Sequence, residues 1–189
     1  MLEVAAGLAA RLGTVDDATR WALRAAQGDP SAATAFVRAT QADVWRLCAG
    51  LVDPGAADDL TQETYLRAFR GLAGFAARAS ARTWLLGVAR RTCMDHLRAV
   101  VRQRRTTDAA APVPDRADPA ADPGGRVGVD DLVGRLDPDR RTAFVLTQLV
   151  GLSYAEAAEV AGVPVGTIRS RVARAREDLI GWVAAAEAG

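Results

Sequence analysis

The chain has 189 residues, half of them hydrophobic, enough to bury the cores of one or two small domains. A formal net charge of +1 excludes a uniformly basic coat for nucleic acid, and 5% aromatic residues with abundant alanine favour helices over sheets. All 24 basic residues are arginine, which suits phosphate and guanine contacts better than lysine does.

Residues 1–15 read as an N-terminal extension. Its Leu2–Leu12 stretch is short and Ala-rich and is expected to be frayed or poorly ordered. No signal-peptide pattern is present, and no apolar run is long enough to span a membrane. A helical block is predicted over residues 16–105. Turn chemistry breaks it near Gly28-Asp29-Pro30, near Asp53-Pro54-Gly55 and across Gly71–Ser80. Asp29 or Ser31 can cap the helix that holds Phe36, Val37, Val44, Trp45 and Leu47. Cys48 and Cys93 have no metal-ligand spacing and sit in apolar helical patterns, so they read as buried thiols in a reducing cytoplasm.

An acidic constellation comes next. Asp53, Asp58, Asp59 and Glu63 fall in a stretch, Leu47 to Leu66, that is interrupted by no arginine. The segment Asp58–Phe69 predicts a helix with Tyr65, Leu66, Phe69 and Leu72 on its apolar face. Leu60, bordered by Asp59 and Glu63, is then expected to be exposed: an apolar anchor inside a charged rim. N-terminal carboxylates stabilising a helix dipole are the alternative, and Asp58 could cap.

The helix from about Ala81 to Arg105 carries Arg82, Arg90, Arg91, Arg98, Arg102, Arg104 and Arg105 against Asp95. Leu85, Leu86, Ala89, Cys93, Leu97 and Val100 fall on a predicted buried arc, with Trp84, Arg91, Arg98 and Arg102 on the other face. A tryptophan among arginines offers a stacking platform and phosphate charges for single-stranded DNA. Packing of Trp84 under the preceding loop is the open alternative. His96, the one histidine, lacks partner spacing for a metal or for catalysis.

Residues 106–128 are rich in Pro, Asp, Ala and Gly and nearly free of large apolar side chains, as in a flexible linker. A second helical domain is predicted over 129–186. In it, Ser153 and Glu156 form a capping box, and Gly162 permits a left-handed helix end. The next helix opens at Pro164, Val165 or Thr167. Ile168, Val172, Ala175 and Leu179 form its inward stripe. Arg169, Ser170, Ala173 and Arg174 look outward, with Arg171 and Arg176 on the flanks. This is the grammar of a helix-turn-helix. Arg169, Ser170 and Arg174 are placed to read bases in a major groove, and Arg171 and Arg176 to hold phosphates. The fold class is therefore all-α, two small helical domains on a flexible linker.

These motifs resemble the extracytoplasmic-function (ECF) sigma factors of bacterial RNA polymerase, in an actinobacterial type. Asp58–Phe69 is similar to their polymerase-binding region 2.2. Phe75–Leu86, continuing to Arg98, is similar to regions 2.3 and 2.4, and Gly151–Ala158 with Val163–Arg176 to region 4.2. The resemblance implies that Asp58, Asp59, Leu60, Gln62 and Glu63 dock on core RNA polymerase, whose clamp and flap are the expected partners. It implies that Phe75, Arg78 and Ser80 hold a flipped base of the −10 element, with Trp84, Arg91, Arg98 and Arg102 beside them. It implies that Thr167, Arg169, Ser170, Arg171, Arg174 and Arg176 meet the −35 duplex. Arg91 stands where some relatives carry a polar amide, and Ala173 where others carry larger side chains.

An anti-sigma partner is a common arrangement in that family. No cofactor, metal, catalytic residue or membrane partner is expected, and the location is cytoplasmic. The chain ends soon after Trp182, so no C-terminal sensory domain is expected. A one-promoter regulator would bind duplex by itself and need no basic face on its first domain. An enzyme would need a nucleophile–base pair, a metal cluster or a phosphate loop, and none is legible.

Overall fold

The computed structural model describes residues 16–108 and 129–187. The predicted N-terminal extension and residues 109–128 of the predicted linker lie outside the described residues. Among the described residues every regular element is helical. The N-terminal half holds α1 (Asp17–Ala26), α2 (Pro30–Leu51), α3 (Ala57–Gly71) and α4 (Ala81–Asp108), with 3-10 turns at Pro54–Ala56 and Leu72–Gly74. The C-terminal half holds α5 (Val129–Arg135), α6 (Pro138–Phe144), a π-helical turn Val145–Leu149, α7 (Tyr154–Ala161) and α8 (Val165–Glu187). Helix α4 runs past residue 105, into the predicted linker, and ends at Asp108.

Local chemistry sets the breaks. Asp29 rather than Ser31 caps α2: its Oδ1 accepts the N–H groups of Ser31 and Ala32 at 2.9 and 3.0 Å. These bonds, with Arg24 on the other oxygen, hold its carboxyl below the usual range. Asp53 accepts the Ala56 N–H at 2.9 Å and opens the turn before α3. The start of α4 is held from α1. The buried Thr19 hydroxyl accepts the Ala81 N–H at 2.8 Å and is itself bonded to Asp16 Oδ2 at 3.0 Å. Cys48 and Cys93 are free, buried thiols with sulfurs 3.6 Å apart, in the core between α2 and α4.

The two halves are packed together, and one core runs through both, from Phe36, Leu47 and Leu85 to Leu146 and Ile168. The π-helical turn sits against α2 at Gly50, where an added Cβ would lie 2.9 Å from both γ-carbons of Val145. Arg82 on α4 donates through Nε to Asp43 on α2 at 2.7 Å and through Nη2 to the Val150 carbonyl at 2.9 Å. Arg141 reaches the Leu51 carbonyl at 3.4 Å.

Two outcomes follow from this packing. Thr19→Val orphans a buried N–H and should lower urea-measured stability by about 1–3 kcal/mol; an unchanged midpoint contradicts the tie between α1 and α4. Gly50→Leu overpacks the seat of the π turn at a cost of about 1–3 kcal/mol. The radius of gyration from X-ray scattering should rise as the halves part, and an unchanged radius speaks against this seat.

Candidate polymerase and nucleic-acid surfaces

The C-terminal surface begins with a capping box. Ser153 N–H donates to Glu156 Oε2 at 2.9 Å, and Glu156 N–H to Ser153 Oγ at 3.3 Å. The Ser153 hydroxyl bond is the main reason that the Glu156 carboxyl sits below its ordinary pKa. Gly162 ends α7 in the left-handed region at φ 70°. Helix α8 then opens at Val165, with Thr167 and Ile168 N–H groups donating to the Pro164 carbonyl.

Ile168, Val172 and Ala175 are buried and Leu179 half-buried, as the spacing predicts. Arg169, Ser170, Ala173 and Arg174 are exposed, and Thr167 is half-buried at the helix start. The flanking arginines are engaged within their own half. Arg171 pairs with Asp139 on α6, and Arg176 donates to Gln148 Oε1 at 2.8 Å. The outward side chains are thus the ones read as base-facing, and the flanking pair is braced from beneath.

The acidic face differs from its sequence reading in register. Leu60 is only 6% exposed and belongs to the core, so it is no exposed anchor. The buried side of α3 consists of Ala57, Leu60, Thr64, Tyr65 and Ala68, while Leu66 and Phe69 are 54% and 39% exposed. The misreading came from weight: small Ala57, Thr64 and Ala68 mark the inner face, and the bulkier Leu66 and Phe69 drew the assignment. The buried Thr64 hydroxyl is satisfied by donating to the Leu60 carbonyl at 2.7 Å. Tyr65 reaches across to the Thr40 hydroxyl at 2.7 Å, and burial pushes its pKa up to about 12.

Asp58 does not cap α3, which has no side-chain cap. Its Oδ1 accepts the indole N–H of Trp45 on α2 at 2.9 Å. Asp59 and Gln62 are exposed. Glu63 is paired with Arg67 at 2.7 Å, and Arg67 also holds Asp95 on α4 at 2.7 Å. That second bond keeps the Asp95 carboxyl low, with Arg98 a further 3.6 Å neighbour. Trp45, Leu66 and Phe69 are surface residues that the sequence reading missed; their exposure depends on how α2 and α3 pack.

Between α3 and α4, the loop from Phe75 to Ser80 carries Ala77 at φ 48°, a conformation uncommon for a residue with a Cβ. The Phe75 and Trp84 rings pack with centroids 5.1 Å apart and planes at 46°. A cavity of about 440 Å³ opens here, lined among others by Phe75, Arg78, Thr83, Trp84, Arg91 and Glu159. It gathers four predicted residues, Phe75, Arg78, Trp84 and Arg91, and adds Glu159 from α7. Trp84 is half-buried, so it both packs under the loop and borders the cavity.

Ser80 serves the helix instead: its Oγ accepts the Thr83 N–H at 3.1 Å. Arg98 and Arg102 are exposed farther along α4 and do not line the cavity. Arg90, on the same helix, turns inward. Burial lowers its pKa, and Asp139 and Arg171 of the C-terminal half are among the charges acting on it. Among the described residues, no three His, Cys, Asp or Glu side chains come together as metal ligands, and no helix is long and apolar enough to cross a membrane.

Comparison with known proteins matches this division. Residues 36–105 fit the family model "Sigma-70 region 2", and residues 126–179 fit "Sigma-70, region 4". The chain is 53% identical over 164 residues to the "Probable RNA polymerase sigma-C factor" of Mycobacterium bovis, spanning 86% of this chain and 89% of that one. It is 32% identical over 167 residues to the "ECF RNA polymerase sigma-E factor" of Haemophilus influenzae, spanning 82% and 88%. Among solved structures, CnrH in complex with the cytosolic domain of CnrY matches with a TM-score of 0.68 at 25% identity, over 90% of this chain and 99% of that one. The sigma factor RpoE of Bartonella quintana, bound to the anti-sigma factor NepR, matches with a TM-score of 0.62 at 26% identity, over 76% and 91%. The chain belongs to the extracytoplasmic-function family of RNA polymerase sigma factors.

Proposed function

We propose that the chain acts in the cytoplasm as a promoter-specificity subunit that grips the promoter at two points. The face of α3 bearing Asp58, Asp59, Gln62 and Glu63 docks on the clamp of core RNA polymerase. The cavity at Phe75, Arg78, Trp84 and Arg91 receives a base of the melted −10 strand, stacked on an aromatic ring and steadied by guanidinium charge. Helix α8 lies in the major groove at −35, where Arg169, Ser170 and Arg174 read base edges and Arg171 and Arg176 hold phosphates. The polymerase makes and breaks the bonds; this chain supplies position.

The observation that carries the reading is the convergence of Phe75, Arg78, Trp84 and Arg91, all from the N-terminal half, on one cavity that no residue of α8 lines. A regulator working through one duplex site has no use for that second surface. Because Glu159 of α7 also lines the cavity, the halves part when the two promoter elements are held together. The solved neighbours in complex with anti-sigma or CnrY partners support a similar protein partner here.

The direct test is RNA synthesis. Core polymerase with this chain should start transcripts at a promoter that neither uses alone; no stimulation and no core binding would sink the reading. Glu63→Arg should abolish core binding while the circular dichroism spectrum stays unchanged. Arg169→Ala and Arg174→Ala should each cost about 1–3 kcal/mol of −35 duplex affinity and relax sequence preference. Arg176→Ala should weaken all duplexes alike and reduce the salt dependence. The reverse pattern would overturn the division of roles among these arginines.

A further inference from the structure

Trp45 is unexplained by the core. Its neighbours Val44 and Leu47 on α2 are fully buried, but the indole is 39% exposed. It is nevertheless held, because its N–H donates to Asp58 at 2.9 Å. Asp58, Gln62, Leu66 and Phe69 recur at helical spacing and share one face of α3. Leu66 and Phe69 are exposed on that face, and Phe69 lies 6.3 Å from the Tyr65 ring. The Trp45–Asp58 bond extends the face onto α2. Helix α2 presents Gly50, at a different angle, to the C-terminal half, so the indole is left to solvent.

We propose that Trp45 is the anchor of the polymerase-docking face, its ring entering an apolar recess on core RNA polymerase. This rests on the reading that the acidic face of α3 docks there. The surroundings define the recess. Asp58 holds the ring, Asp53 and Asp59 are exposed on the connection into α3 and at its start, and the neighbouring Arg46 is paired with Asp43, so the rim of the recess is basic. Leu66 and Phe69 continue the apolar strip, so the recess is elongated along α3. Tryptophan is enriched among the few residues that dominate interface energetics, where an apolar centre is ringed by polar contacts. The Asp58 bond satisfies the indole N–H before binding and fixes the ring, which reduces the ordering cost of association. Asp58 is then a positioning residue, and Asp59 and Gln62 meet the rim.

The experiment titrates the full-length chain, labelled at its N-terminus, with DNA-free core polymerase. Trp45→Ala should weaken binding by about 30-fold or more. Trp45→Phe keeps the ring and should retain most of the affinity. Asp58→Asn keeps an acceptor for the indole and should lose less than Asp58→Ala. Hydroxyl-radical footprinting of the unmodified chain should show Trp45 protected from oxidation when core is bound. This readout holds even if the alanine variant folds poorly. Full affinity in Trp45→Ala and an unprotected Trp45, with binding lost in Glu63→Arg, would overturn the anchor while leaving the docking face standing. Unchanged binding in Trp45→Ala and Glu63→Arg alike would overturn both.

Discussion

Arg82 bridges the two halves of the molecule with one guanidinium: Nε meets the Asp43 carboxylate on α2, and Nη2 meets the Val150 carbonyl at the end of the π-helical turn. The rest of the arrangement depends on this geometry because three sides of the first half of α4 are in use. One side packs Leu85, Leu86, Ala89 and Cys93 into the core. Another meets α7, and a third carries Trp84 and Arg91 to the cavity. A helix so constrained cannot shift without disturbing the core, the contact between the halves and the cavity together. The Thr19 hydroxyl at its first N–H fixes where that helix begins.

The C-terminal surface was legible because its determinants are local. A capping box spans three residues, and a left-handed glycine and an inward stripe are set by spacing within one helix. Hence Ser153, Gly162 and Ile168 do in the structure what their sequence positions imply. The acidic face was only half legible. The identity of its carboxylates is written in the chain, but the buried side of α3 is decided by α2 and α4. Thr64 and Ala68 outrank Leu66 and Phe69 for the interior only because small side chains let those helices approach.

Contacts between distant residues account for the other surprises. Sequence spacing shows neither the pairing of Arg171 with Asp139 of α6 nor the hold of Asp58 on Trp45 at the surface. The packing of the halves was likewise invisible: Arg82 and Val150 are joined across the intervening linker, and no periodicity reports such a pair. Glu63 shows the same effect on charge, since its bridge to Arg67 ties the acidic face of α3 to Asp95 on the arginine-rich helix. The acidic face of α3 and the arginine-rich α4 are therefore not electrostatically separate.

The close approach at Gly50 has an evolutionary corollary. With both γ-carbons of Val145 2.9 Å from where a Cβ would stand, the two positions share one volume. A lineage that acquires a side chain at position 50 must trim position 145 or abandon the seat. Among descendants that keep these halves docked, the two sites should change as a pair, large against small, although almost a hundred positions of chain lie between them.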